Sequence, residues 1–297
     1  MMADQAQASP DVEAPLDSEV PGKGTRFLPR GEPVFTGINR IGLWSLYIKE
    51  IRRFLKVQTQ TIWAPAVTTL LFLVIFTVAL GREGREVLGA PFASFLAPGL
   101  IVMGMMQNAF ANSSFSLLSG KIQGTIIDLL MPPLSPGELM TGIVAAAVTR
   151  AIMVGCTVAA AMLLWPGVSL QVEHWWAVIW FGLMGSVMLS VMGLATSIWS
   201  EKFDHNAAIT NFVIAPLSLL SGTFFVIENL HGVFQAISRA NPFFYVISGF
   251  RYGFLGETDI GAGSGAVIAA AFGLGVLNLA MSYTVYRVLT SGWKLKD

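Results

Sequence analysis

The chain of 297 residues is 54% hydrophobic and only 12% charged, whereas an average soluble protein carries about 25% charged residues. Its formal net charge of zero excludes the basic balance typical of nucleic-acid-binding proteins, so no nucleic-acid partner is expected. The single cysteine, Cys156, lies in an apolar stretch, which excludes a disulfide framework and a cysteine metal site.

Residues 1–36 differ in composition from the rest of the chain. They are rich in Asp, Glu, Pro and Gly and hold few large apolar residues. Such a segment buries too little apolar surface to offset its chain entropy, so a disordered cytoplasmic tail is expected. It has no short apolar run after a basic start and is not read as a signal peptide.

Residues 40–58 are predicted to form an amphipathic helix, because apolar residues recur at spacings of three and four. The apolar face comprises Ile41, Trp44, Ile48, Ile51 and Leu55. The basic face comprises Lys49, Arg52, Arg53 and Lys56. This pattern favours a helix lying flat in the membrane interface, with its basic face toward anionic lipid headgroups. A soluble helix docked on a partner is the alternative.

Six apolar stretches follow, each of about 20 residues, which is roughly what a helix needs to cross ~30 Å of hydrocarbon. They lie at about 62–80, 97–118 (within a longer apolar stretch, 92–118), 139–164, 175–199, 207–226 and 266–288. They predict an all-α integral membrane fold of six transmembrane helices, with one membrane domain over residues 37–297. Lys and Arg residues precede the first span, follow the last span and lie in the loops after spans two and four. Because basic residues are enriched on the cytoplasmic side, both termini are expected in the cytoplasm.

The loop between spans two and three contains a short predicted helix with an apolar face. Thr125 is its predicted N-cap, with Asp128 in a box-like spacing, and Pro132 and Pro133 end it. A short helix with an apolar face suits docking into a groove on a soluble partner. An ordinary interfacial turn explains the same residues equally well.

The segment after span five is too apolar for a free loop and too broken for a span. Residues 227–256 are therefore predicted to form short re-entrant helices packed on the domain, with Asn241-Pro242 marking the turn between them. Arg251 lies in this apolar context and needs a partner. Glu257 and Glu228 are candidates, and extension of the side chain to the outer surface is the alternative.

The spans carry little chemistry. Arg150 lies well inside span three and faces either the bundle interior or the headgroups. No acidic residue lies in the middle of a span, which counts against an ion-coupled carrier. The sequence has no phosphate loop, nucleophile elbow or His-Glu-x-x-His motif. The chain is therefore expected to have no catalytic activity and no ATP-binding site of its own.

The order of these parts resembles the type-2 ABC exporter permeases. Residues 124–139, Gly-Thr-Ile-Ile-Asp-Leu-Leu-Met-Pro-Pro-Leu-Ser-Pro-Gly-Glu-Leu, are similar to the coupling segment of that family. Residues 216–225, with Asn-Pro-Phe-Phe-Tyr at 241–245 and Arg251, are similar to its fifth span, re-entrant helices and final signature. The helix at 40–58 matches the family's connecting helix.

The resemblance implies a permease homodimer working with two copies of a separate ATP-binding subunit. The residues it assigns to coupling with that ATPase are Gly124, Thr125, Ile126, Asp128 and Leu129. Those it assigns to a re-entrant gate are Asn241, Pro242, Tyr245 and Arg251. It implies no cofactor on this chain, since ATP binds to the partner.

The predicted function is export of an amphiphilic, drug-like, lipid or lipo-oligosaccharide substrate across the bacterial inner membrane by alternating access. An ion-gradient-driven secondary transporter and a membrane-embedded lipid enzyme are the alternatives.

Overall fold

The computed structural model describes residues 37–80, 86–165, 167–261 and 263–294. The predicted tail, residues 1–36, lies outside the described part of the chain.

Eleven α-helices make up most of the described chain, and a small antiparallel hairpin, β1 (Glu86–Val87) with β2 (Ala90–Pro91), links α2 to α3. The helices are α1 Arg40–Leu55, α2 Ala64–Leu80, α3 Phe92–Ile122, α4 Ile126–Leu130, α5 Pro136–Met162, α6 Trp175–Trp199, α7 Phe203–Ile209, α8 Ala215–Leu219, α9 Val233–Ala240, α10 Pro242–Leu255 and α11 Ser264–Ser291. One π-helix, Thr59–Trp63, leads into α2; a second, Thr210–Ile214, joins α7 to α8; and a 3₁₀ turn, Ile227–Asn229, precedes α9.

Five helical stretches of the described chain are long and apolar enough to cross a membrane. They are Thr59–Ala79, Phe92–Ile122, Pro136–Met162, Trp175–Trp199 and Ser264–Ser291. Each corresponds to one of the six predicted spans. The all-α membrane class is therefore confirmed, and the count of six stays a prediction.

At the remaining predicted span, 207–226, the observed helix is shorter than expected. A continuous helical run of 17 residues, 203–219, is built from α7, the π-helix and α8. It is about 26 Å long at 1.5 Å per residue. The predicted end at residue 226 is wrong, because the chain leaves the helix at Leu220 and Gly222 takes a positive φ of 77°.

The centre of the domain is α3, which packs against α5, α6 and α10. In the apolar 18-residue stretch of α3, 94% of the residues are buried, whereas the share is only 22% in the corresponding stretches of α2 and α11. Large apolar side chains of α2 and α11, such as Val78 and Phe272, are correspondingly exposed. A surface of this kind requires lipid or another protein chain against it.

Glycines permit the close helix contacts around α6. A Cβ on Gly193 of α6 would lie 2.5 Å from the backbone oxygen of Phe110 on α3. A Cβ on Gly249 of α10 would overlap the ring of Phe181 on α6. Small residues at these positions let the helices approach each other, as membrane helices commonly do.

Candidate functional site

The short helix α4 lies between the ends of α3 and α5. Gly124 ends the preceding helix with a positive φ of 70°, a conformation that glycine adopts without steric cost. The Thr125 amide then donates to the Gly120 carbonyl at 2.9 Å, and α4 begins at Ile126. After Met131, Pro132 and Pro133 prevent the helix from continuing.

The predicted capping of α4 by Thr125 is wrong. Thr125 occupies the N-cap position, but its side chain makes no capping hydrogen bond. The box lies instead at the start of α5, where the Glu138 amide donates to Ser135 Oγ at 3.3 Å and the Ser135 amide donates to Glu138 Oε2 at 2.7 Å. The sequence carried this signal as Ser-x-x-Glu, with Pro136 at the first helical position.

The same carboxylate joins the segment around α4 to α1. The Asn39 amide donates to Glu138 Oε1, and Asn39 Nδ2 donates to the Pro133 carbonyl at 3.2 Å. Asn39 Oδ1 meanwhile caps α1 by accepting from the Gly42 amide at 2.9 Å. Glu138 therefore fixes the start of α1 relative to the start of α5.

The structure corrects which residues of α4 are available to a partner. Leu129 is buried and Ile126 is half-buried, and both pack against an apolar cluster formed with α3, α5 and α6. The exposed apolar residues are Ile127, Leu130 and Met131. Gly124, Thr125 and Asp128 are exposed beside them. Ile126 and Leu129 hold α4 in place, and the free apolar face is on the other side of the helix.

Helix α1 packs along α5 through a face that the sequence pattern missed. Its buried residues are Leu46, Glu50 and Phe54. A Cβ on Gly142 of α5 would lie 2.8 Å from Leu46 Cδ2, which shows how closely the two helices approach. Three of the predicted apolar residues, Ile41, Trp44 and Leu55, are exposed.

The residues of the predicted basic face of α1 do not all point outward. Lys49, Arg52 and Lys56 are exposed, but Arg53 turns toward the bundle. Arg53 Nη2 lies 2.8 Å from Glu50 Oε2 and donates to the Asn112 carbonyl on α3 at 2.7 Å. Burial raises the pKa of the Glu50 carboxyl above its ordinary value, and the charge of Arg53 opposes that rise.

The predicted gate residues connect α10 to the end of α8. Asn241 caps α10, accepting from the Phe243 amide at 3.0 Å, and its Nδ2 donates to the Leu217 carbonyl at 2.7 Å. Pro242 is the first residue of α10. Tyr245 donates its hydroxyl to the Arg239 carbonyl on α9 at 2.9 Å. These contacts join α9 and α10 into one unit with the end of α8.

Arg251 is fully buried, so the alternative of extension to the surface is wrong. Its guanidinium donates to the carbonyls of Gly222 and Thr223 at 2.8 and 3.3 Å and to that of Phe95 at 3.3 Å. It also lies 3.9 Å from the centroid of the Phe95 ring. The acidic partner is Asp259, not Glu257 or Glu228. Gly256, with a φ of 71°, ends α10 and turns the chain back toward it.

A cleft of about 520 Å³ lies between α3 and the helical run 203–219. Its polar lining residues include Gln107, Ser114, Asp204, Asn206, Thr210 and Asn211, and its aromatic ones Phe110, Phe115 and Phe203. The π-helix, Thr210–Ile214, forms part of this wall. Such π-helical turns occur frequently at functional sites.

A model of a known protein family covers most of this chain. The family model described as ABC-2 type transporter matches residues 42–255. The chain belongs to the ABC-2 type transporter family. The match extends from the first turn of α1 to the end of α10 and so includes α4 and Arg251, but not Asp259.

Curated relatives cover most of the chain. The inner membrane transport permease YadH of Escherichia coli strain K12 is 35% identical over 220 residues, which are 74% of this chain and 85% of the relative. Nodulation protein J of Rhizobium leguminosarum bv. viciae is 25% identical over 242 residues, 79% of this chain and 87% of the relative. Nodulation protein J of Rhizobium meliloti strain 1021 is 24% identical over 230 residues, 76% and 85%.

Family membership and the apolar helices identify a multi-pass inner membrane protein, the permease subunit of an ABC transporter. In this family the membrane subunit pairs with an ABC ATP-binding subunit, and the ATPase is on that separate chain.

Proposed function

We propose that this permease works as a homodimer with two copies of its ATP-binding subunit and exports an amphiphilic molecule across the inner membrane by alternating access. ATP binds to the partner, and this chain carries no cofactor of its own. The amphiphile is a drug-like molecule, a lipid or a lipo-oligosaccharide.

The exposed apolar face of α4 carries the proposal. Ile127, Leu130 and Met131 present this face on a helix of only five residues, which is too short to be stable alone. Leu129 and the capping box of α5 hold it against the domain. A rigidly held apolar helix is suited to insert into a groove on another protein. Movement of that groove on ATP binding would then move α3 and α5.

Charged residues at the ends of α3 and α11 support the proposed orientation. Lys294, just after α11, pairs with Glu201 at 2.7 Å. Lys121 at the end of α3 contacts the carbonyl of Ile198, in the last turn of α6, and that of Ser200, just after the helix. This end of the domain therefore holds the ends of α3, α6 and α11 and a cluster of lysines. We assign it, with both termini, to the cytoplasm.

The opposite end carries the proposed gate. The run 203–219 supplies the fifth of the six spans, and α9 and α10 are the re-entrant helices. Asn241, Pro242, Tyr245 and Arg251 hold them to their neighbours. Because Arg251 contacts both α3 and the chain after α8, a shift of α3 driven from α4 would reach the gate through this residue.

The cleft between α3 and the run 203–219 supports the substrate class. It places hydrogen-bonding groups such as Gln107 and Asn211 beside aromatic rings such as Phe115. A molecule with a polar part and an apolar part satisfies both kinds of surface.

Reconstitution tests the proposal. The permease and its ATP-binding subunit would be purified together and placed in proteoliposomes. We expect fluorescent amphiphiles to move only with ATP, and a partner with its phosphate-loop lysine replaced by alanine to abolish that movement. Sustained uphill transport by the permease alone, driven by an ion gradient, would overturn the proposal in favour of a secondary transporter.

A further inference from the structure

A positively charged polar cluster lies where α1, α3 and α5 meet. It contains Glu50 and Arg53 from α1, Asn108 and Asn112 from α3, and Arg150 from α5. Arg53 contacts Glu50 and Asn112, while Arg150 Nη2 donates to Asn108 Oδ1 at 2.8 Å. Asn108 and Asn112 are one helical turn apart, so the two guanidinium groups lie on neighbouring turns of α3.

The cluster lacks one negative charge. Glu50 faces Arg53, but within the described ranges no carboxylate forms a salt bridge with Arg150. Arg53 repels the guanidinium of Arg150. Burying a charge without a counterion is unfavourable, even after the surroundings relax.

Two hydrogen-bond donors of the cluster have no acceptor in the described part of the chain. They are Nε of Arg150 and Nδ2 of Asn112, and Asn112 is only 1% exposed. Buried donors without partners are rare in folded proteins. A charge deficit and free donors at the same place are what an oxyanion would satisfy.

The cluster is also within reach of the surroundings. The Arg53 side chain is 31% exposed and Arg150 is half-buried. Lys49 and Lys56 are exposed on the same side of α1 and extend the positive surface outward. Basic pockets between membrane helices on the cytoplasmic side bind lipid headgroups.

We propose that Arg53, Arg150 and Asn112 bind the phosphate group of an anionic phospholipid of the inner leaflet. The lipid would supply the missing charge and lock the end of α1 against α3 and α5. The inference takes only the orientation of this end of the domain from the proposed function. Lipid binding needs neither the ATPase nor transport, so the two can fail separately.

Lipid titration of the purified full-length permease in zwitterionic detergent tests the site. The thermal unfolding midpoint would be followed as phosphatidylglycerol is added, with phosphatidylcholine and inorganic phosphate in parallel. We expect a midpoint rise with phosphatidylglycerol alone. Losing one charge-assisted contact in R53Q or R150Q should weaken the apparent affinity about tenfold.

Arg52→Gln is the matched control, because it removes the same charge from the neighbouring, exposed position. We expect R52Q to weaken phosphatidylglycerol binding less than about twofold, as for an exposed charge, and R53K to retain most of it. Equal losses in R52Q and R53Q, or no preference over phosphatidylcholine, would overturn the site. An equal midpoint rise with inorganic phosphate would overturn the lipid as the source of the anion. If R150Q does not fold, the phosphatidylglycerol affinities of R53Q and R53K still test the proposed site.

Discussion

Arg251 and Asp259 face each other in the interior of the domain, with Nη1 and Oδ2 4.0 Å apart and side chains at most 1% exposed. Ser248 donates its hydroxyl to the other oxygen of Asp259. The remaining guanidinium nitrogens bind carbonyls of α3 and of residues 222 and 223. The pair therefore joins α10, the loop after it, α3 and the chain after α8.

Removing one partner of this pair is expected to destabilise the domain strongly. Asp259→Ala leaves Arg251 buried without a counterion, which typically costs about 3–5 kcal/mol. Thermal unfolding of the purified protein in detergent measures the loss. Glu257→Gln, two residues earlier and exposed, is the control and should leave the midpoint nearly unchanged. If E257Q were as destabilising as D259A, Asp259 would not be the partner.

The exposed face of α4 is expected to bind the ATP-binding subunit. Leu130→Asp removes an apolar contact and places a charge in the groove, so binding should weaken at least about tenfold. Co-purification and the affinity of the permease in nanodiscs for the isolated ATPase measure this. The permease alone should remain monodisperse, because Leu130 is exposed.

Gln123→Asp is the matched control for added charge near α4. It introduces the same carboxylate at an exposed position without removing an apolar side chain. We expect ATPase binding close to that of the wild type. Normal co-purification of L130D would show that this face is not the docking surface.

The capping box at the start of α5 is expected to stabilise the inner end of the domain. Ser135→Ala removes the acceptor for the Glu138 amide and should cost about 1 kcal/mol, as at other N-caps. Ser45→Ala at an exposed position of α1 is the control. Urea or thermal unfolding compares the two, and equal midpoints for S135A and S45A would contradict the role of the box.

Burial of Glu50 predicts a dependence of stability on pH. Its pKa is raised in the folded protein, so the folded state binds a proton more readily than the unfolded state. Stability should therefore fall as pH rises from the ordinary value of 4.5 through the raised folded value, and recover on acidification. Glu50→Gln removes this titration. Comparing the unfolding midpoints of the wild type and E50Q between about pH 5 and about pH 7.5 isolates it. Parallel midpoints across this range would refute the prediction.

Local signals in the sequence predict much of the coupling segment. Gly124, Pro132 and the spacing of Ile126 and Leu129 define a short helix, because each acts within a few residues of itself. The pattern does not decide which apolar face is free, since Leu129 and Leu130 are equally apolar and only packing against α3, α5 and α6 separates them. The Ser-x-x-Glu spacing at Ser135 and Glu138 corresponds to a capping box that forms. The similar spacing of Thr125 and Asp128 does not, because the Thr125 side chain makes no capping hydrogen bond.

Contacts between distant parts of the chain explain the remaining errors. Asp259 approaches Arg251 only because Gly256 reverses the chain after α10. Closeness in sequence identifies the candidate acidic residues but does not predict this turn. Arg53 lies at the border between the basic and buried faces of α1, and Asn112 on α3 determines that it turns inward. The predicted span 207–226 ends early because Ser238 binds the carbonyl of Leu220 and Arg251 binds those of Gly222 and Thr223, which a continuing helix would use.

The contact between α3 and α6 at Gly193 gives a further prediction on packing. Gly193→Ala would place a methyl group 2.5 Å from the Phe110 carbonyl oxygen, so the helices must move apart or the site must distort. Overpacking of this kind typically costs about 1–3 kcal/mol. Gly273→Ala on α11 is the control, because nothing lies within 4 Å of its Cβ position, and it should gain up to about 1 kcal/mol from helix propensity. Thermal unfolding should thus move in opposite directions for the two variants. A G193A protein as stable as G273A would show that α3 and α6 are further apart than this contact requires.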